Sequence, residues 1–236
     1  GEKRLFMSGD VVALTAELVR LPSVLGNEAA VAKAAVANMQ SLGFDHTEID
    51  ASGNAVGVIE GAAPGPTFVM DGHIDTVDIV PRDAWTHDPF GAEISGDRMS
   101  GRGTSDMKGA VAAMIVGAAN VDRSRVRGRI VVSASVGEEW VEGRALKEVL
   151  DRYPANYVLI GESTKLNLVR AGRGRAELVV TTKGKPAHAS TPELGINAIH
   201  KMLAVIDALE RMELPNDPFV GPGILALTDL ISSPYP

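Results

Sequence analysis

Apolar residues recur at helical spacing in two segments near the start of the chain and in short strand-like runs after them. Residues 11–21 and 28–42 have apolar side chains three or four positions apart, and Gly43 follows the second segment as a stop signal. Further along, the pattern predicts strands at 47–50, 55–60, 67–70, 92–99, 129–136 and 156–160 and helices at 109–121 and 144–152. This alternation predicts an α/β fold with a mixed, mostly parallel sheet between helices.

The pattern changes near Gly172, which indicates a domain boundary. Residues 1–172 form one predicted domain, and residues 173–236 have the order expected for the first part of a small α+β unit. In that unit the sequence predicts a strand at 176–182, a polar loop at 184–192, a helix at 193–213 and a strand at 224–230. The sequence contains no partner segments for these strands, so we expect the second domain to be incomplete in this chain.

Composition narrows the classes of function. The chain has 236 residues, a formal net charge of −7 and no cysteine. The negative net charge argues against nucleic-acid binding, which needs a concentrated basic face. The absence of cysteine excludes cysteine-based catalysis and thiolate metal binding. No apolar run approaches the ~18 residues that a membrane helix needs, and residues 1–10 lack the pattern of a secretory signal. We therefore expect a cytoplasmic protein with neither a nucleic-acid nor a membrane partner.

Metal-type ligands follow three of the predicted strands. His73 and Asp75 come after the strand at 67–70, Glu138 and Glu139 after the strand at 129–136, and Glu162 after the strand at 156–160. A further carboxylate, Asp106, lies between glycines where a predicted helix begins. Because the carboxyl ends of parallel strands open into one crevice, these side chains are predicted to converge there as ligands of a divalent cation.

The spacing of the candidate ligands suggests which role each side chain has. His73 and Asp75 are two residues apart and face the same way, which suits an imidazole ligand and a carboxylate bonded to its other nitrogen. The adjacent Glu138 and Glu139 diverge, so one can bind metal while the other faces a water molecule. A bridging Asp106 with His73 and Glu162 completes one ion of about three protein ligands, and Asp106 with Glu139 leaves the second ion one ligand short.

Other interpretations remain open for several residues. The strand-end carboxylates could simply be solvated, and Arg173 and Arg175 could either clamp a substrate carboxylate or be solvated charges at the start of a strand. Trp85 is expected to pack the 78–90 loop, and Lys108 to cap or solvate the helix that it begins. The sequence lacks both a dinucleotide-type glycine triplet and the Gly-x-Ser-x-Gly turn of serine hydrolases.

Five segments taken together carry a resemblance. The segments are residues 71–76, 85–90, 101–109, 137–139 and 161–164. In this order they resemble motifs of the metallohydrolase family of acetylornithine deacetylase, succinyl-diaminopimelate desuccinylase and carboxypeptidase G. The resemblance implies a two-zinc catalytic domain, interrupted by a lid domain that also forms the homodimer. It further implies a non-proline cis peptide after Asp106. The ligands it implies are His73, Asp106, Glu139 and Glu162, with Glu138 as general base and Asp75 orienting His73.

The resemblance also covers the second domain. Residues 184–190 resemble the lid loop whose histidine, here His188, stabilises the oxyanion in a neighbouring subunit's site. Family members return to the catalytic domain after the lid, so we expect the last metal-binding histidine beyond residue 236 and the second metal site to be incomplete in this chain. Two divalent ions are implied as cofactors, zinc in the first place and cobalt as a possible substitute.

These observations lead to one expected activity and two rivals. We expect a metal-dependent amide hydrolase that cleaves an N-acyl amino acid by metal-activated water, with Glu138 as the base. A Glu at position 162 is similar to the deacylase and carboxypeptidase branch of the family. The rivals are a di- or tripeptidase or carboxypeptidase of the same architecture, acting on short peptides, and a truncated, non-catalytic metal-binding or dimerisation module.

Overall fold

A five-stranded sheet forms the centre of the first part of this computed structural model, which describes residues 8–169 and 171–232, with side chains from residue 11 onward. The chain divides into two compact units, residues 1–166 and 167–236. In chain order the strands are β1 (His46–Ile49), β2 (Ala55–Glu60), β3 (Ala63–His73), β4 (Glu93–Ser95), β5 (Arg98–Ser100), β6 (Arg127–Ser135), β7 (Tyr157–Ile160), β8 (Asn216–Asp217) and β9 (Gly221–Pro222).

Strand directions make the central sheet mixed. Its order is β1-β2-β6-β3-β7, and β2 pairs antiparallel with both β1 and β6. Strand β3 pairs parallel with β6 on one side and with β7 on the other. Strand β2 is therefore the one reversed member of this sheet, which confirms the predicted mixed, mostly parallel sheet.

Helices cover the two faces of the sheet. The helices are α1 (Ser8–Val19), α2 (Ala29–Ser41), α3 (Lys108–Ala119), α4 (Arg144–Arg152) and α5 (Ala198–Glu210). Because side chains alternate along a strand, Val132 and Ala134 of β6 pack in the cluster that contains Ile115 of α3. Val131, the residue before Val132, packs with Val149 of α4 on the opposite face. The sheet thus lies between helices, as predicted.

Two local features position β3 and the segment after it. At Gly72 a Cβ atom would come within 2.7 Å of Met107 Cε and 2.9 Å of Val111 Cγ2, so glycine lets α3 approach the strand closely. The predicted strand at 92–99 is instead a hairpin of β4 and β5, because Gly96 with φ +61° reverses the chain between them.

The second unit departs further from prediction. The segments 176–182 and 224–230 are not strands, because neither forms a backbone ladder with a neighbouring segment within the described residues. Helix α5 begins at Ala198 rather than at 193, since Asn197 accepts hydrogen bonds from the N–H groups of Ile199 and His200 as an N-cap. A two-residue ladder of β8 and β9 follows. The lid assignment of this unit remains a prediction.

The helices offer no candidate for a membrane span. Among residues 8–169 and 171–232, none of them combines the length and the apolar composition needed to cross a bilayer.

Candidate metal and catalytic site

The ends of three parallel strands bring the candidate residues together. In the sheet register His73 lies opposite Ser135, the last residue of β6, and Asp71 lies opposite Ile160, the last residue of β7. After β6, Gly137 adopts φ +68°, a conformation that favours glycine, and the chain turns directly into Glu138. The side chains that follow β3, β6 and β7 therefore start from one edge of the sheet.

The imidazole of His73 is the centre of the cluster. Its side chain is 2% exposed, and Nδ1 lies 2.9 Å from the backbone carbonyl oxygen of Asp75. On the other side, Nε2 lies 3.0 Å from Asp106 Oδ1, 3.8 Å from Glu138 Oε2 and 3.9 Å from Glu162 Oε1. Burial alone would lower the pKa of His73, but Asp75, Glu138 and Asp106 outweigh it and raise the pKa to about 10.

Asp75 joins the end of β3 to the turn after β6. Its buried carboxylate accepts hydrogen bonds from the backbone N–H groups of Glu138 at 3.2 Å and Glu139 at 3.0 Å, and Oδ1 lies 3.5 Å from His73 Nδ1. Burial would raise the pKa of Asp75, but the hydrogen bonds from His73 and from the Glu139 backbone lower it below its usual value. Asp75 thus fixes both glutamates by their backbone as well as contacting the imidazole.

The candidate ligands fall into two groups of three. In each group the ligand atoms lie within 4.8 Å of one another, and the groups are His73 with Glu138 and Glu162, and His73 with Asp106 and Glu139. The sequence had predicted a bridging Asp106, whereas the residue that the two groups share in this structure is His73. His73 Nε2 contacts Asp106 Oδ1 directly, at 3.0 Å, and the bridging role of Asp106 remains a prediction. All six predicted residues nevertheless lie close together.

The donor set fits a divalent cation. Burial raises the pKa of Glu138 to about 7, with a further increase from Glu162, and burial together with Asp106 raises the pKa of Glu139. Part of each rise comes from a neighbouring carboxylate, which disfavours a second negative charge beside it. One imidazole and several carboxylate oxygens are ligands that zinc and related ions accept. A cation would relieve the repulsion that these side chains create.

The peptide between Asp106 and Met107 is cis, as the resemblance implied. Lys108 follows directly, and the expectation that it caps or solvates its own helix is wrong. Its side chain is fully buried, and Nζ donates hydrogen bonds to the carbonyls of Leu18 at 3.0 Å and Leu21 at 2.8 Å, at the end of α1. Burial lowers the pKa of Lys108 to about 8. The helix that begins beside Asp106 is therefore anchored to α1.

A second residue that sequence reasoning passed over is Asp71. It is 5% exposed, and burial raises the pKa of its carboxyl group to about 6. Its position two residues before His73, on the same face of β3, was the signal that could have identified it.

The 78–90 loop is fastened to the segment that carries Asp106. The guanidinium of Arg102 lies 4.9 Å from the centre of the Trp85 ring and donates to the Asp78 carbonyl at 3.1 Å. The backbone N–H of Arg102 donates to the Pro89 carbonyl at 2.7 Å. These contacts agree with the expectation that Trp85 packs the loop.

The remaining predicted residues belong to the second unit. His188 is exposed and its Nδ1 lies 2.7 Å from Ser190 Oγ. Arg173 donates to the carbonyl of Pro222, and Arg175 pairs with Glu177 at 2.9 Å. Both arginines have partners within the second unit, and their proposed role in holding a substrate carboxylate remains a prediction.

Comparison with known proteins places the chain among metallopeptidases. Residues 69–229 match the model described as peptidase family M20/M25/M40. A succinyl-diaminopimelate desuccinylase of Cereibacter sphaeroides is 32% identical over 222 residues, covering 87% of this chain and 57% of the relative. The uncharacterized protein YgeY of Escherichia coli is 31% identical over 97% of this chain and 58% of its own length. The chain thus spans little more than half of these relatives.

Solved structures agree with the fold. An M20 family metallo-carboxypeptidase of Sulfolobus solfataricus superposes with a TM-score of 0.60 at 20% identity, over 85% of this chain and 49% of that one. A tripeptidase of Staphylococcus aureus gives a TM-score of 0.58 at 21% identity, over 89% and 58%. The family predicted from five sequence motifs is confirmed: this chain belongs to peptidase family M20/M25/M40.

Proposed function

We propose that the protein is a metal-dependent hydrolase that removes the acyl group from an N-acyl amino acid, in the manner of an acetylornithine or succinyl-diaminopimelate deacylase. The observation that carries the proposal is the position of His73 Nε2, which lies 3.0 to 3.9 Å from carboxylates of three separate segments. Identity with desuccinylases at 32% supports a deacylase over other amide hydrolases.

The cation ligands are His73, Asp106, Glu139 and Glu162, holding two divalent ions of which zinc is the first choice and cobalt the second. When bound, such ions supply a water of lowered pKa and polarise the carbonyl that it attacks. With Asp106 shared between the two ions, His73, Asp106 and Glu162 would hold one ion and Asp106 and Glu139 the other, which leaves the second ion one ligand short in this assignment. A further ligand from outside residues 1–236 therefore belongs to this proposal, and a histidine is the residue we expect.

Glu138 is the general base. Its side chain is 29% exposed, so it can reach both solvent and substrate, and its backbone N–H is fixed by Asp75. A carboxylate with a raised pKa can take a proton from the attacking water and return it to the leaving amine. Asp75 keeps the base and His73 in register, because it contacts both.

The second unit supplies the rest of the proposal. His188, from a lid that joins two subunits, donates to the oxyanion of the tetrahedral intermediate. Arg173 and Arg175 are the candidates for holding the free carboxylate of the substrate. Both features require the whole protein as a homodimer.

The test measures hydrolysis by the protein at its full natural length, with N-acetylornithine and N-succinyl-diaminopimelate against a panel of di- and tripeptides. We expect release of the acyl group at rates well above peptide cleavage. Glu138→Gln should reduce kcat by about 10²–10⁴ while the protein still binds zinc, because Glu138 is not a ligand in this proposal. Preferential peptide cleavage would favour the peptidase rival, and no hydrolysis of any substrate would favour the non-catalytic one.

A further inference from the structure

A fully buried amide side chain, that of Asn54, lies at the end of the loop between β1 and β2. Its Oδ1 atom accepts a hydrogen bond from the backbone N–H of Val136 at 3.0 Å. Its Nδ2 atom donates to Asp50 Oδ2 at 2.8 Å and to the backbone carbonyl of Ala145 at 3.3 Å. The opposite orientation of the amide would place two donors against each other at Val136, so these partners define which atom lies where.

The segment 136–145 runs from the end of β6 into the first turn of α4 and carries Glu138 and Glu139. Asn54 contacts the backbone of both the first and the last residue of this segment. The ladder between β2 and β6 has already ended before the segment begins, so the first N–H group of the segment takes its partner from a side chain. One side chain therefore holds both ends of the segment.

Packing contributes little to the middle of segment 136–145. Residues 140–144 are all exposed, Trp140 by 70%. Asp75 holds the middle of the segment through two backbone N–H groups, as described above. A segment with few buried side chains depends on such hydrogen bonds to keep its shape. The contacts at its two ends therefore help to decide where its glutamates point.

We propose that Asn54 is a positioning residue of the cation site, which holds both ends of segment 136–145 and so fixes Glu139 as a ligand and Glu138 as the base. The inference rests on the proposed function, which assigns those two roles. Asn54 contacts the backbone of the segment, so its effect on both glutamates passes through that backbone. A purely structural role makes a different prediction, because removal of Asn54 would then weaken the fold and leave the zinc affinity of the folded protein unchanged.

The experiment compares Asn54→Ala with the wild type, both at full natural length. Titration calorimetry with Zn²⁺ alone measures zinc affinity, and urea unfolding with a chelator measures stability. We expect the affinity for one of the two zinc ions, the ion bound by Glu139, to fall about tenfold. With N-acetylornithine or N-succinyl-diaminopimelate, whichever the wild type cleaves, kcat should fall about tenfold while KM stays within about twofold, because Glu138 acts in the chemical step.

Two controls separate positioning from a loss of stability. Val149→Ala removes buried packing from α4, where Val149 is 1% exposed, and keeps the hydrogen bonds of Asn54. It should lower the urea midpoint and leave zinc affinity within about twofold. In a Glu139→Gln background, Asn54→Ala should change zinc affinity by less than about twofold, because an effect that passes through Glu139 is lost with that ligand.

If Asn54→Ala does not fold, Asn54→Asp takes its place with the same expected losses. This variant has nearly the same size and keeps an acceptor for the N–H of Val136, but it loses the donor to the Ala145 carbonyl. Unchanged zinc affinity, an equal loss in Val149→Ala, an undiminished loss in the Glu139→Gln background, or failure of both Asn54 variants to fold would each overturn the inference. A wild-type protein that binds no zinc would overturn the proposed function and this inference with it, whereas wild-type zinc binding without an effect of Asn54 would overturn this inference alone.

Discussion

The two units of the chain contain similar alternation of apolar and polar residues but differ in what those residues contact. In the first unit Val69 and Val131 are 0% exposed, because the sheet and α4 cover them. In the second unit Leu178 and Val179 are 78% and 94% exposed, in a segment with the same pattern. The comparison teaches that alternation identifies a strand that could form, whereas a neighbouring strand decides whether it does.

The same contrast holds for the candidate chemistry. In the first unit, His73 and Asp75 lie close to Asp106, Glu138, Glu139 and Glu162, which come from distant stretches of sequence. In the second, His188 and Arg173 contact only residues of their own unit among the interactions described. The candidate ligand cluster can therefore be tested in the first unit directly, while the roles proposed for His188 and Arg173 need the whole protein.

The largest expected effect is that of His73→Ala. Because His73 belongs to both ligand groups, zinc affinity should fall more than the 10–100-fold typical of a partner outside the ligand set, or by more than about 100-fold. Titration calorimetry with Zn²⁺ checks this. His188→Ala is the matched control from the second unit and should leave zinc affinity unchanged. An equal loss in both variants would contradict the assignment of the cation site to the first unit.

The pH dependence of stability sharpens the comparison, since the charge cluster lies in the first unit. The pKa of His73 is raised from 6.5 to about 10, so its stabilising contribution is complete below about 6.5 and is lost as pH rises toward 10. The pKa of Glu138 is also raised, from 4.5 to about 7, so its contribution to stability is likewise lost as pH rises, but over a lower pH range. The metal-free chain should lose about 2–4 kcal/mol of stability between roughly pH 6 and pH 10.

Urea unfolding with a chelator, repeated across this pH range, measures that loss. Zinc should reverse the trend, because ligands bind it only when deprotonated. In the His73→Asn variant, the stability of the metal-free chain should change less with pH above about pH 7. A metal-free chain whose stability rises steadily with pH would contradict the raised pKa values of His73 and Glu138.

Sequence reasoning brought together the candidate ligands His73, Glu139 and Glu162 because each follows a predicted strand, and the position of a strand end depends on local pattern. It grouped them differently, with Asp106 as the shared residue, because a grouping depends on side-chain rotamers that no local pattern records. Lys108 shows the same limit. A charged residue at a helix start is usually exposed, and its burial here depends on the carbonyls of Leu18 and Leu21, at and just after the end of α1.

Lys108 and Lys201 provide a matched pair across the two units. Each donates from Nζ to backbone carbonyls, but Lys108 is fully buried and Lys201 is exposed, bonded to the Lys183 carbonyl at 3.0 Å. Lys108→Met should destabilise the first unit by about 1–3 kcal/mol, because the end of α1 loses its donor. Lys201→Met should change stability by less than about 0.5 kcal/mol. Urea unfolding followed by circular dichroism distinguishes the two, and similar losses would contradict the anchoring role of Lys108.

The smallest expected effect concerns the apolar pattern itself. Val131→Ala removes two methyl groups from the cluster under α4 and should reduce stability by about 1.5–2 kcal/mol, at about 0.8 kcal/mol for each buried carbon plus a small cavity. Val179→Ala, in a segment with the same alternation, should stay within about 0.5 kcal/mol, because Val179 is 94% exposed and leaves no cavity. Both are measured by urea unfolding of this chain. A cost at Val179 comparable with that at Val131 would mean that residues 176–182 are packed in solution, and that the two units differ less than their exposures indicate.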